Sequence, residues 1–373
     1  MAHSYTPGLR VARLTVIRRE RRLPLRGSVS VKLGDKITAR QVVAQTQLPG
    51  NVQSVNAAGM LSIPPEEVPG ALTVKVGDAI TKGQILGVSK SFFGLFKTNC
   101  ESPIDGILEN ASPVTGQLIL REPPIPVEVH AYIDGKVIEL FPEEGVVVEA
   151  FGSLIQGIFG IGGERHGIIR MLVKSPDEVV DEAKISGDVA GKILIGGSLI
   201  TLPAFRKAMT MGATAVVVGG FNNSDLKALL GYEQGVAITG HEDIASTLVL
   251  TEGFGKIAMA QRTFDLLRES DGKGASVSGA TQIRAGVIRP EVIIPNPSVT
   301  SVPEQSTEVA SIEIGDFVRI IRQPYFGKIG KVTLLPSELQ QLETGAKVRV
   351  LELELDDTKR VILPRANIER IEE

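Results

Sequence analysis

The sequence predicts a multidomain, β-rich α+β protein, and three observations carry that reading. The chain has 373 residues, more than one ordinary hydrophobic core organises. Its 40 Gly and 21 Pro follow no fixed period and punctuate short Val-, Ile- and Thr-rich runs, as strands joined by tight turns require. A middle stretch alternates strand-like and helix-like runs, whereas the sequence on either side carries strand signals.

Composition narrows the classes. Apolar residues at 43% and charged residues at 22% suit packed, soluble units. Aromatics are only 4% and Trp is absent, so platforms for base stacking are scarce. A formal net charge of −3 provides no global attraction to nucleic acid or anionic membrane. The single cysteine, Cys100, supplies neither an intrachain disulfide nor a thiolate cluster. With no apolar run of spanning length and no leader pattern, the expectation is a soluble, cytoplasmic protein without a membrane partner.

Residues 1–27 form a basic segment, with Arg10, Arg13, Arg18, Arg19, Arg21, Arg22 and Arg26 against Glu20. Two readings stay open: a contact with phosphate or an acidic protein, or a strand whose charges are solvated at the edge of the first domain. Val11, Leu14, Val16 and Ile17 favour the strand.

Residues 28–150 contain an internal repeat. Residues 29–45 read VSVKLGDKITARQVVAQ and residues 72–88 read LTVKVGDAITKGQILGV. The pairs Gly34-Asp35 and Gly77-Asp78 mark turns between alternating apolar residues. Further turns follow at Pro49-Gly50-Asn51 and Ser102-Pro103-Ile104-Asp105-Gly106, with an echo at Ile133-Asp134-Gly135-Lys136-Val137. This arrangement resembles the biotinyl/lipoyl barrel-sandwich hybrid family, most closely from Val76-Gly77-Asp78 to Asp105-Gly106. Carrier members hold a modified lysine at the hairpin joining the two half-motifs. Here that hairpin, Ser89 to Glu101, contains Lys90 and Lys97 without the flanking pattern, so the resemblance implies an unmodified lipoyl-like domain with acylation as the alternative. The hairpin also concentrates Phe92, Phe93, Leu95 and Phe96, either an exposed interaction site or a surface packed on a neighbouring domain.

Residues 151–295 predict an α/β domain. Lys192–Gly197 and Ala213–Gly219 read as buried strands. Pro203–Met211 reads as a helix with Pro in its first turn, and Ser224–Leu230 as a helix capped by Ser224 and stopped by Gly231. A strand near Gly235–Thr239, helices near Ile244–Leu250 and Gln261–Glu269, and strands at Gly286–Ile288 and Val292–Ile294 continue the series, predicting a parallel or mixed sheet covered by helices. Residues 296–310, rich in Pro, Ser and Thr, read as a linker.

An enzyme would hide in the α/β stretch. The Gly-rich run Gly157–Gly167 matches neither G-x-G-x-x-G nor G-x-x-x-x-G-K-[ST]. Gly196, Gly197 and Ser198, with Gly219 and Gly220 after the next strand, are candidates for an anion site on backbone N–H groups, the alternative being ordinary strand-to-helix turns. His3, His130, His166 and His241 form no metal-ligating spacing, and Glu242-Asp243 reads as a helix N-terminus. No serine or cysteine nucleophile motif is present. No cofactor or metal is expected, and the reading favours binding over catalysis.

Residues 311–373 predict a small β-barrel. Gly315-Asp316 opens it, Phe317–Ile321 alternates as a strand, Gly327 and Gly330 permit a tight turn, and Lys331–Leu334 returns. Strands at Lys347–Leu355, Thr358–Leu363 and Ile368–Ile371 complete it. The run IGDFVRIIRQPYFGKIGKVTL resembles the KOW motif of NusG-type elongation factors and certain ribosomal proteins, which implies an SH3-like barrel that docks on protein or RNA. Arg319, Arg322, Tyr325, Phe326, Lys328 and Lys331 are the candidate contacts. Surrounding acids leave the domain near neutral, which favours a protein partner. The function expected is that of a non-catalytic adaptor or assembly protein docking on a cytosolic complex. The alternatives are an RNA-binding factor of transcription or the ribosome, and a phosphorylated small-molecule site in the α/β stretch of an enzyme complex.

Overall fold

The computed structural model describes residues 9–91, 96–231, 240, 242–282, 288–301, 312–320, 325, 328–341, 347–355 and 359–370. The protein is β-rich, and its largest element is an eleven-stranded mixed sheet. At its centre Arg165–Met171, Lys192–Ile195, Ala215–Phe221 and Thr247–Phe254 run parallel. Such strands are covered on both faces and read as continuous apolar runs; Ala215–Phe221 is buried at every position. Helices Leu202–Thr210, Asn223–Leu230 and Gln261–Arg268 supply cover through Phe205, Leu226 and Phe264.

The expected strands Lys192–Gly197, Ala213–Gly219 and Val292–Ile294 are present within a residue or two. Two local expectations fail. Residues 247–254 form a strand and not a helix, because Thr247, Val249 and Thr251 are β-branched and the segment is buried beside Ala215–Phe221. The helix at Asn223 is preceded by Asn222, which occupies the N-cap in place of Ser224, while Gly231 ends it at φ 80° as expected. The expected strand at Gly235–Thr239 lies outside the described residues. Of Gly286–Ile288 only Ile288 is described, in a bridge to Gln282.

The sheet crosses residue 150, where the sequence suggests a boundary. Gly145–Gln156 pairs with Val11–Arg22, with Gly135–Phe141 and with Glu291–Pro295. Within the basic segment, Val11–Arg22 is therefore a strand of the large sheet.

The repeat is nested and not tandem. The first copy closes on the distant Ile133-Asp134-Gly135 turn, and the second, with its own Ile104-Asp105-Gly106 turn, is inserted between the first copy's halves. The hydrogen bonds correspond one to one. Gly34 N donates to Val137 O at 2.8 Å and Val137 N returns to Asp35 O at 2.9 Å; Gly77 N donates to Leu108 O at 2.7 Å and Leu108 N to Asp78 O at 3.0 Å. Ala39 N donates to Asp134 Oδ1 and Lys82 N to Asp105 Oδ1, at 2.7 and 2.8 Å. Ile37, Val43 and Val137 are buried in the outer copy, as are Ile80, Leu86 and Leu108 in the inner one.

The turn that opens each copy occurs a third time in the C-terminal sheet. Asp35, Asp78 and Asp316 each accept, through Oδ2, the N–H three residues earlier, at 2.8, 2.8 and 2.9 Å. Gly34, Gly77 and Gly315 take φ of 89°, 97° and 104°, which glycine adopts without steric cost. That C-terminal sheet has six strands, in the order Leu339–Gln341, Lys347–Leu355, Ile329–Leu334, Phe317–Ile320, Ile368–Arg370, with Arg360–Pro364 also on Lys347–Leu355. It encloses Val318, Ile320, Val332, Leu353 and Ile368.

Candidate functional site

The strand Val11–Arg22 alternates buried and exposed residues, which places its arginines where acids of other elements reach them. Arg18 Nε meets Glu149 at 2.7 Å, and Arg21 forms two bonds to Glu164 at 2.7 and 2.6 Å. Arg13 pairs with Glu269, Arg22 with Glu20 and Glu144, and Arg26 with Glu143. Arg19 is partly buried, and both its Nε and a terminal nitrogen bond Glu291, itself mostly buried. The positive charge is thus engaged within the chain. Exposed pairs of this kind contribute about 0–1 kcal/mol each, so their main effect is to fix the strand's surroundings.

Glu291 also accepts the Tyr132 hydroxyl at 3.3 Å. Tyr132 is buried at φ 71°, a conformation a bulky residue adopts only when its surroundings impose it. Its N–H bonds Ala39 O, its carbonyl accepts Ser276 Oγ, and its ring lies under Arg21. Burial, reinforced by Glu291 and Glu164, holds the phenol well above its ordinary pKa. Ser276 and His166 come together here, Oγ to Nδ1 at 3.4 Å. Ser276 is fully buried with its hydroxyl bonded to Tyr132, a packing role that leaves no approach for a substrate.

The Gly-rich loops cradle groups of the chain itself. Gly162 N and Gly240 N both donate to the Glu242 carboxylate at 2.8 Å. Glu242, expected at a helix N-terminus, instead caps this loop, and Asp243 opens no helix. Gly196 N donates to Val217 O, Ser198 N to Glu178 O and Gly219 N to Gly197 O, at 2.7–2.9 Å. The two loops do lie side by side, but a Cβ at Gly219 would stand 2.2 Å from Ile257 O, and one at Gly220 2.0 Å from Gly255 O. Segment 255–259 packs directly against both glycines.

A groove of roughly 890 Å³ opens elsewhere, along the outer copy of the repeat. Its apolar lining includes Ile37, Ile138, Phe151 and Ile294, and the segment Pro295–Thr300 borders it. Lys36, Lys136 and Lys273 line it and are exposed. Among the described residues none of the three is in an ion pair. Lys36 and Lys136 are direct partners across an antiparallel pair. Sequence reading missed this site. Lys36 stands out when the copies are aligned, since Ala79 replaces it, but its juxtaposition with Lys136 follows from the nesting.

Of the remaining candidates, Phe92, Phe93 and Leu95 lie outside the described residues, and Phe96 begins the returning strand of the hairpin. Lys90 and Lys97 face each other in that hairpin's register. In the C-terminal sheet, Arg319 lies on the strand Phe317–Ile320, Lys328 and Lys331 are exposed, and Tyr325 sits beneath Lys359, 5.2 Å from the ring centre. Arg322 and Phe326 lie outside the described residues. Among those described, no group of His, Cys, Asp and Glu is placed to hold a metal, and no helix is long and apolar enough to cross a membrane.

No protein-family model matches the chain, and no curated protein matches it.

Proposed function

We propose that this chain is a non-catalytic adaptor that docks onto a cytosolic macromolecular complex through a KOW-type C-terminal barrel and nested barrel-sandwich hybrid units. The observation that carries the reading is the outward face of the C-terminal sheet. Leu334 lies opposite Glu352, and Glu352 opposite Ile362, while Phe317 lies opposite Lys331 in a neighbouring row. Leu334, Ile362 and Phe317 are 50%, 57% and 47% exposed. Apolar side chains open to water on a sheet, bordered by charges, have the composition of a protein interface. Arg360 on this face is paired with Glu352 and Glu354, which favours a protein over a phosphate backbone as partner.

Affinity purification of the full chain from its native host, beside the L334E/I362E double variant, tests this. The expected result is a set of proteins retained by the parent through nuclease treatment and lost from an equally stable variant. Retention that nuclease abolishes, with a steep fall in salt, would establish the RNA-binding alternative instead.

A further inference from the structure

The two copies of the repeat supply a control that a single structure rarely contains. The cross-strand pair Lys36 and Lys136 of the outer copy corresponds to Ala79 and Ile107 of the inner one, which are register partners in the same way. The fold accepts an alanine and an isoleucine there, so the lysines are not required by the architecture. Like charges directly opposite on neighbouring strands are destabilising. Protection of a sheet edge is a known use of lysine, and it accounts for Lys36 on the terminal strand. It does not account for Lys136, whose strand lies between that edge and Gly145–Gln156.

The row continues from Lys136 to Glu149 and Arg18. Glu149 is held by Arg18 at 2.7 Å, and Asp134, the other carboxylate of the groove, accepts Ala39 N. Lys273 brings a third ammonium to the groove, within the field of Glu269, which Arg13 also holds. We infer that the groove is a binding site for a small ligand with a phosphoryl group on an apolar body, the dianion lying between Lys36 and Lys136 and the body against Phe151, Ile138 and Ile294. A phosphoryl group carries close to two negative charges near neutral pH, which matches two opposed ammonium groups. The groove's volume is within the range of small-molecule sites, about 300–1,000 Å³. This site is separate from the C-terminal face on which the adaptor reading rests.

The test uses phenyl phosphate as probe and the full chain, with the double variant K36A/K136I, which installs the inner copy's own pair. Calorimetric titration is expected to give saturable, one-to-one binding to the parent and at least a tenfold weaker affinity in the variant. Without probe, the variant should unfold at the same or a higher temperature, which separates loss of the site from loss of the fold. The single variant K136I should weaken binding too, since edge protection by Lys36 is untouched. Equal affinity in parent and double variant, or no binding to the parent at millimolar probe, overturns the inference; neither result bears on capture of protein partners by the C-terminal sheet.

Discussion

In the outer copy of the repeat the residue before Ile133-Asp134-Gly135 is Tyr132, buried at φ 71°; in the inner copy the equivalent residue before Ile104-Asp105-Gly106 is Pro103. The two share a turn, a hydrogen-bond scheme and their main buried positions, yet their cores are assembled differently. Every buried residue of the inner core lies between Val55 and Leu120. The outer core draws Ile17, Leu154 and Ile293 from strands of the large sheet. One copy is self-contained, and the other is completed by its surroundings. A left-handed tyrosine is tolerable only in the second kind, where Ala39, Ser276, Arg21 and Glu291 all act on it.

The largest effect that would sharpen this contrast is expected from Glu291→Ala. It leaves Arg19 mostly buried without its carboxylate and removes the Tyr132 partner, and breaking a buried pair costs about 3–5 kcal/mol. The inner copy's ion pair, Arg121 with Glu109, is partly exposed, so Glu109→Ala should cost under about 1 kcal/mol. Chemical denaturation of both variants checks the difference. Similar losses would mean that the outer copy does not depend on the sheet in the way described.

Next in size are the paired glycines. A Cβ at Gly106 would stand 2.0 Å from Arg121 O, and one at Gly135 2.4 Å from Glu149 O. Each alanine substitution forces backbone apart, at a cost of about 3 kcal/mol. The consequences should differ in extent. Hydrogen exchange in Gly106→Ala is expected to rise in the inner core alone, whereas Gly135→Ala should also expose Gly145–Gln156, its partner strand. Loss of protection spreading equally from both would dissolve the distinction between a self-contained and a dependent copy.

Much of this was legible in the sequence because it is local. The Gly-Asp turns, the Ile-Asp-Gly turns, the helices at Leu202 and Gln261 and the strand Lys347–Leu355 are each specified by neighbouring residues. What failed to read was long-range. In residues 247–254 the β-branched Thr247, Val249 and Thr251 alternate with Leu248 and Leu250, a short run that suits helix or strand, and burial between two strands, which no local pattern reports, decided for strand. The nesting was hidden because the turn Pro49-Gly50-Asn51 stands directly after the first copy's opening half, where a tandem copy would close, whereas its closing turn at Ile133-Asp134-Gly135 comes only after the inner copy is complete. The arginines of the first strand pair with acids as distant as Glu269 and Glu291. The groove depends on both the nesting and the sheet, and so escaped notice with them.

The smallest expected effect is a pH dependence confined to one copy. Burial lowers the pKa of His166 beside Tyr132 and Ser276; Asp134 opposes that displacement and Arg40 adds to it. The folded protein therefore holds this imidazole neutral at pH values where the unfolded chain, with a pKa of about 6.5, binds a proton. Because the unfolded state then carries more protons, stability falls as pH drops below about 6.5 and continues to fall until the folded pKa is passed. Residues 52–121 contain no histidine, so the inner copy lacks this contribution. Exchange protection between pH 7 and 5, compared in the parent and in His166→Gln, is the measurement. The parent should lose protection in the outer copy faster than the variant, with the inner core unchanged by the substitution; a common pH response in both copies would place the titrating group elsewhere.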